Sequence, residues 1–162
     1  MDATIVELAA SLVEKARNAK VMIATAESCT GGLIAGAITE VPGSSDIFDR
    51  GFVTYSNDAK MKMLGVKAET LSTYGAVSAE TAREMAFGAL ANSNADFAVA
   101  VTGIAGPAGG TPEKPVGLVY IGVAELDGKT QVAEQRFGDV GRGAVRQATL
   151  EAALRALTLE IH

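Results

Sequence analysis

Apolar side chains near the start of the chain fall at Ile5, Leu8, Ala9, Leu12, Val13 and Ala16, the i, i+3, i+4 spacing of a helix with one buried face. Thr4 and Glu7 have capping-box spacing and predict where that helix begins. The pattern then changes. VMIATA at 21–26 is a short, nearly continuous apolar run, which reads as a buried strand, and GGLIAGAITEV at 31–41 returns to helical spacing. VPGSSD is a turn, RGFVTY at 50–55 a second strand, and SNDAKMKMLG a short helix ending near Gly65. Ser78 is placed to cap a helix whose Ala82, Met85, Ala86, Ala89 and Leu90 face inward. FAVAVT at 97–102 is all small or branched apart from its first residue and predicts a central strand. Two further runs, VGLVYIGVAEL and KTQVAEQRF, flank Asp127-Gly128, a strong hairpin signal.

A closing helix from about Gly143 carries two apolar stripes. One is Val145, Ala148, Ala152 and Leu159, the other Leu150, Leu154, Leu157 and Ile161. A helix apolar on two sides is buried twice, so this one is expected to take part in a homo-oligomer contact. Strands interleaved with helices give an α/β fold, and the final hairpin makes its central sheet mixed. No internal repeat or second hydrophobic pattern divides residues 1–162, which read as one domain.

Composition narrows the function. The 162 residues are 48% apolar but only 5% aromatic, so the core must be built from Ala, Val, Leu, Ile and Met. A formal charge of −5 without a basic run argues against nucleic acid or an anionic membrane as partner. No apolar stretch approaches the ~20 residues of a membrane-crossing helix. The N-terminus lacks the pattern of a secretory signal, and a lone cysteine, Cys29, cannot form an internal disulfide; both point to the cytoplasm. The one histidine is His162, at the very end. A Ser–His–Asp triad, a Cys–His dyad and a histidine-ligated zinc site are all disfavoured, and a hydrolase built from this inventory needs Lys, Tyr or a carboxylate as its base.

Three segments carry candidate chemistry. In ATAESCTGGLIAG, Ser28 sits between a strand and a helix, where unpaired N–H groups can hold an oxyanion. Gly31 and Gly32 admit a substrate close to the backbone; a plain helix cap by Ser28 or Thr30 explains the same residues. In YSNDAK, Asn57 is a good N-cap, which puts Lys60 in the first helical turn, the unfavourable end for a cation and a favourable one for a neutral amine. Bringing a lysine from ~10.4 to ~7 takes roughly 4.6 kcal/mol, and a helix end supplies only ~0.3–2. Lys60 can therefore act as a base only if it is buried. Tyr55, ending the preceding strand, can donate or relay a proton. Cys29 is the rival nucleophile, but without a histidine to activate it a small packed residue is the simpler reading.

Residues 102–117, TGIAGPAGGTPEKPVG, hold five glycines and three of the four prolines. This loop matches neither common nucleotide-binding fingerprint, and reads either as a set of backbone N–H concavities for a ligand or as a proline-stiffened surface loop. Arg142 again puts a cation where a helix begins, a placement that a bound anion would repay; Arg146 makes the same case less strongly.

Together AESCTGG, VPGSSDIFDRGFVTYSNDAK and TGIAGPAGGTPEKPVG resemble the C-terminal domain of the CinA family, in its stand-alone, PncC-like form, over nearly the whole chain. The resemblance implies a three-layer α/β/α sandwich and a nicotinamide-nucleotide amidohydrolase, converting nicotinamide mononucleotide and water to nicotinate mononucleotide and ammonia without metal or cofactor. Carried over by motif, Ser28 is the nucleophile, Tyr55 and Lys60 complete the active site, and Thr102, Gly103 and Gly106 belong to the nucleotide pocket. Thr30, Gly31 and Gly32 are expected to line the oxyanion site and Arg142 to meet the phosphate. A non-catalytic nucleotide sensor, or an amidase for a different small amide, remains the alternative. The resemblance does not include the molybdopterin-binding-like N-terminal domain of many members, and no activity of that domain is carried over.

Overall fold

A computed structural model describes residues 1–162. The elements are α1 (Ala3–Ala19), β1 (Ile23–Glu27), α2 (Leu33–Thr39), β2 (Phe48–Val53), α3 (Asn57–Leu64), α4 (Ala68–Tyr74), α5 (Ala79–Ala91), β3 (Phe97–Gly103), β4 (Leu118–Glu125), β5 (Thr130–Arg136) and α6 (Arg142–Glu160), with a 3-10 turn at Ser44–Asp46. The strands form one sheet in the order β2-β1-β3-β4-β5. β1 pairs in parallel with both β2 and β3, while β3–β4 and β4–β5 are antiparallel, so the sheet is mixed as expected. β3 lies at the centre of the sheet.

Alternation along the strands divides the core into two. Ile23, Phe97, Val99, Val101, Val119, Ile121 and Val123 face α1, α2 and α6, and Ala24, Ala26, Ala98, Ala100 and Ala124 face α3 and α5. The second side is built from alanine and glycine, which lets α5 lie close on the sheet. A Cβ at Gly122 would stand 3.0 Å from the Ala82 carbonyl oxygen of α5. The contact between the two helices on this side is as tight. A Cβ at Gly88 would fall 1.9 Å from the carbonyl oxygen of Leu64, the last residue of α3, so Gly88 fixes how deeply α3 is seated. The result is the three-layer α/β/α sandwich.

Several boundaries differ from the sequence expectation for identifiable reasons. Asp2, not a Thr4–Glu7 box, caps α1: its carboxylate accepts from the N–H groups of Thr4 (2.8 Å) and Ile5 (3.4 Å). β1 begins two residues late because α1 ends in a left-handed Lys20 whose neighbour Val21 still donates to the Ala16 carbonyl. α2 begins only at Leu33, since Gly31 (φ 58°) and Gly32 (φ 107°) are left-handed. Ser56, not Asn57, caps α3 through its 3.0 Å bond from Ala59 N–H, which moves Lys60 from the third to the fourth helical position. α4 had no clear signal: its AETLSTY sequence buries only Thr70. On α6 one face is fully buried through Val145, Thr149, Leu150, Ala153, Leu154 and Leu157, whereas Leu159 is 75% exposed within the chain.

Candidate active site

Ser28, Tyr55 and the end of β3 all lie at the carboxyl ends of the parallel strands β1, β2 and β3. The chain leaves β1 toward β2 on one side and returns to β3 on the other, which places a switch point between β1 and β3. Such a crevice is where open α/β sheets bind their ligands. Ser28 opens the turn after β1 and its N–H donates to the Val101 carbonyl across that crevice (3.1 Å).

Neither Ser28 nor Thr30 caps α2. That role belongs to Glu27, the last residue of β1, which sequence reasoning passed over because a carboxylate seven residues upstream is outside any capping pattern. Its buried side chain accepts from Thr30 Oγ1 (2.6 Å), Ile34 N–H (2.8 Å) and Ala35 N–H (3.0 Å), and no lysine or arginine forms an ion pair with it. The helix N-terminus itself supplies the compensating partial charge. Replacing Glu27 by alanine strands three buried donors and is expected to cost about 3 kcal/mol in urea denaturation, with Glu27→Gln between the two. A loss below about 1 kcal/mol would mean that water replaces the carboxylate there.

Because Glu27 occupies the Ile34 and Ala35 N–H groups, the first turn of α2 is not free to bind an anion. Gly31 N–H donates to Ser28 O and Leu33 N–H to Thr30 O, which leaves the N–H groups of Cys29, Thr30 and Gly32 without a protein acceptor.

Lys60 approaches from the other helical layer. Its Nζ lies 3.0 Å from Ser28 Oγ and 3.0 Å from the Thr54 carbonyl oxygen, and the residue is 2% exposed. Burial lowers its pKa from the ordinary 10.5, with no carboxylate within ion-pairing distance to raise it. This is the burial that a base at this position requires. A neutral amine has one lone pair; with an N–H given to Thr54, that lone pair can accept the Ser28 hydroxyl proton. The neighbouring Lys62 instead faces solvent in an ion pair with Asp58.

Cys29 is 6% exposed, and burial pushes its thiol up to about 11, so it is protonated near neutral pH. Tyr55 is 60% exposed and its hydroxyl accepts from Arg142 Nη2 (2.7 Å). Arg142 Nη1 donates to the Gly106 carbonyl (2.8 Å), so one guanidinium joins the segment after β2 to the glycine-rich loop. Ser28, Cys29, Tyr55, Gly103, Gly106 and Arg142 share a cavity of about 260 Å³. A larger cavity of about 560 Å³ lies against the outer side of the same loop, near Pro112, Arg136 and Asp139, and contains neither Ser28 nor Lys60.

Several of the expected site residues also serve the framework. The Thr102 hydroxyl donates to the Ala76 carbonyl (2.7 Å), tying the end of β3 to the segment before α5. A Cβ on Gly103 would meet Val119 at 2.6 Å, and one on Gly106 would meet Val116 at 2.6 Å, so protein packing already demands both glycines. Thr30, Gly31 and Gly32 form the turn beside the cavity, with the Thr30 hydroxyl spent on Glu27. No group of three His, Cys, Asp or Glu side chains gathers to hold a metal ion, and no helix is long and apolar enough to cross a membrane.

The α/β/α sandwich agrees with what family comparison finds. The model of the CinA C-terminal domain matches residues 5–161, and the chain belongs to that family. Its relatives include nicotinamide-nucleotide amidohydrolase PncC of Enterobacter agglomerans, 57% identical over 136 residues that cover 83% of this chain and 80% of that protein. A CinA-like protein of Endomicrobium trichonymphae is 55% identical over 138 residues, which are 85% of this chain but 32% of that protein. The chain thus spans about a third of the length of several curated relatives that it matches. The crystal structure of competence/damage inducible protein CihA from Agrobacterium tumefaciens superposes with a TM-score of 0.96 at 55% identity, covering 98% of this chain and 96% of that one.

Proposed function

We propose that the protein is a nicotinamide-nucleotide amidohydrolase that hydrolyses nicotinamide mononucleotide with Ser28 as nucleophile and Lys60 as base. The observation that carries this reading is the 3.0 Å approach of a buried amine to a serine hydroxyl facing a cavity. The amidohydrolase name of the Enterobacter relative supports the reaction class.

Neutral Lys60 accepts the Ser28 proton as Oγ attacks the carboxamide carbon, giving a tetrahedral oxyanion. The turn N–H groups of Cys29, Thr30 and Gly32 are the available donors to that oxygen. The C–N bond then breaks as the leaving nitrogen takes the proton of the Lys60 ammonium, directly or relayed through Tyr55, and ammonia departs with Lys60 neutral again. Water attacks the remaining Ser28 ester with Lys60 again as base, the acyl C–O bond breaks, and Ser28 regains its proton as nicotinate mononucleotide leaves. The serine–lysine pairing is a recurrent variant of the serine–histidine scheme.

Arg142 completes the pocket. It lies at the positive end of α6 with no acidic partner, and a phosphate beside it would offset both charges. The lone buried Cys29 suits a reducing compartment, in keeping with cytoplasmic nucleotide metabolism.

Incubation with a panel of pyridine amides and their nucleosides and mononucleotides tests the assignment by ammonia release. Nicotinamide mononucleotide is expected to give the highest kcat/KM, and the riboside, lacking the phosphate, to lose about tenfold or more. Tight binding without ammonia would assign the pocket to a sensor instead. Release from another amide but not from this nucleotide would overturn the substrate.

A further inference from the structure

Arg142 and Arg146 stand one turn apart at the start of α6, both at the unfavourable end of a helix with no acidic residue in its first turn. Their surroundings differ. Arg142 is exposed, lines the cavity and bonds Tyr55 and Gly106. Arg146 is half-buried, turned to the nucleophile segment, and donates from Nε to the Cys29 carbonyl (3.1 Å) and from Nη2 to the Thr30 carbonyl (3.2 Å). It has no carboxylate partner, so these two carbonyl dipoles are what compensate its charge.

Those carbonyls lie within the turn that presents Ser28. A trans peptide is planar, with its N–H opposed to its C=O. Fixing the Cys29 carbonyl therefore turns the Thr30 N–H, one of the donors without a protein acceptor, away from the guanidinium. Fixing the Thr30 carbonyl orients the Gly31 N–H, which closes the turn onto the Ser28 carbonyl (3.0 Å). Glu27 holds the same segment from its other side through the Thr30 hydroxyl and the first N–H groups of α2. Gly31 and Gly32 would otherwise leave this the most pliable backbone in the site.

We infer that Arg146 is a positioning residue: its planar fork spans two consecutive carbonyls and holds the Ser28 turn in its reactive shape, and it takes no part in binding the phosphate. The inference rests on Ser28 being the nucleophile but not on the identity of the amide. Lysine cannot replace it, because one ammonium does not span two carbonyls in a fixed plane.

The experiment compares wild type with Arg146→Met and Arg146→Lys in three measurements: kcat and KM for ammonia release from nicotinamide mononucleotide, the rate of Ser28 sulfonylation by phenylmethanesulfonyl fluoride followed by intact mass, and the thermal midpoint. Both variants are expected to lose about ten- to a hundredfold in kcat with KM within about threefold, and to be sulfonylated more slowly by a similar factor well below their thermal midpoints. A large rise in KM for Arg146→Met that Arg146→Lys reverses would show a phosphate-binding charge and overturn the inference. Unchanged kcat and sulfonylation in Arg146→Met would overturn it too. If wild type releases no ammonia but is sulfonylated at Ser28 in an Arg146-dependent way, the substrate assignment falls and the inference stands; if wild-type Ser28 is not labelled, both fall.

Discussion

Replacing Lys60 with methionine is expected to raise the thermal midpoint of the protein while cutting amide turnover by about a thousandfold or more. The two effects have one cause. Lys60 is among the largest fully buried side chains, and burial holds its folded-state pKa below the ordinary 10.5. The unfolded chain therefore binds that proton more readily than the folded one, so folding is penalised whenever the lysine is charged in the unfolded state. The penalty is complete below the depressed folded-state value, shrinks as pH rises from there toward 10.5, and vanishes above it. Methionine fills similar space without a charge, and its stabilisation should follow the same profile: largest at neutral and acidic pH, fading in strong alkali. Thermal denaturation of both proteins across that range measures it. Turnover by wild type should rise with pH as Lys60 loses its proton, with a midpoint below the ordinary lysine range. Equal stability at all pH values would mean that the amine is solvated in the folded protein, and the proposed base would be lost with it.

The second large effect separates two neighbouring nucleophiles. Ser28→Ala should lower kcat by about 10⁴-fold or more, whereas Cys29→Ala should change it by less than about tenfold. Ser28 Oγ is the atom within reach of Lys60, while the Cys29 thiol is buried with its pKa raised to about 11. A thiol with that value offers almost no thiolate near neutral pH, and alkylation by iodoacetamide at pH 8 should be slow in the folded protein and fast after unfolding. Rapid alkylation of native Cys29, with activity lost in step, would reverse the assignment and make the cysteine the reacting group.

Much of this molecule is written in local pattern. The run of small and branched residues at 97–102 marked the central strand, Asp127-Gly128 marked the hairpin, and Ser78 marked the start of α5, because each depends on neighbours a few residues away. The exclusion of histidine chemistry was equally legible, since an inventory needs no coordinates. The requirement that Lys60 be buried also followed from magnitudes alone, although its burial did not. What failed were two helix caps. Asp2 prevailed over Thr4 and Ser56 over Asn57 because a cap is settled by which oxygen reaches the free N–H groups.

The sequence by itself determined an α/β chain with a serine, a lysine and a tyrosine at the ends of successive elements, and very little other chemistry available to it. Only the tertiary structure decided that Lys60 crosses 32 positions to touch Ser28, that Glu27 rather than a hydroxyl caps α2, and that Arg142 faces the cavity while Arg146 grips the turn. Those outcomes depend on how α6 packs across one face of the sheet and on how closely α5, with α3 against it, settles on the other. That depth is set by glycines and alanines meeting backbone across long stretches of chain, and spacing along a sequence carries no record of it.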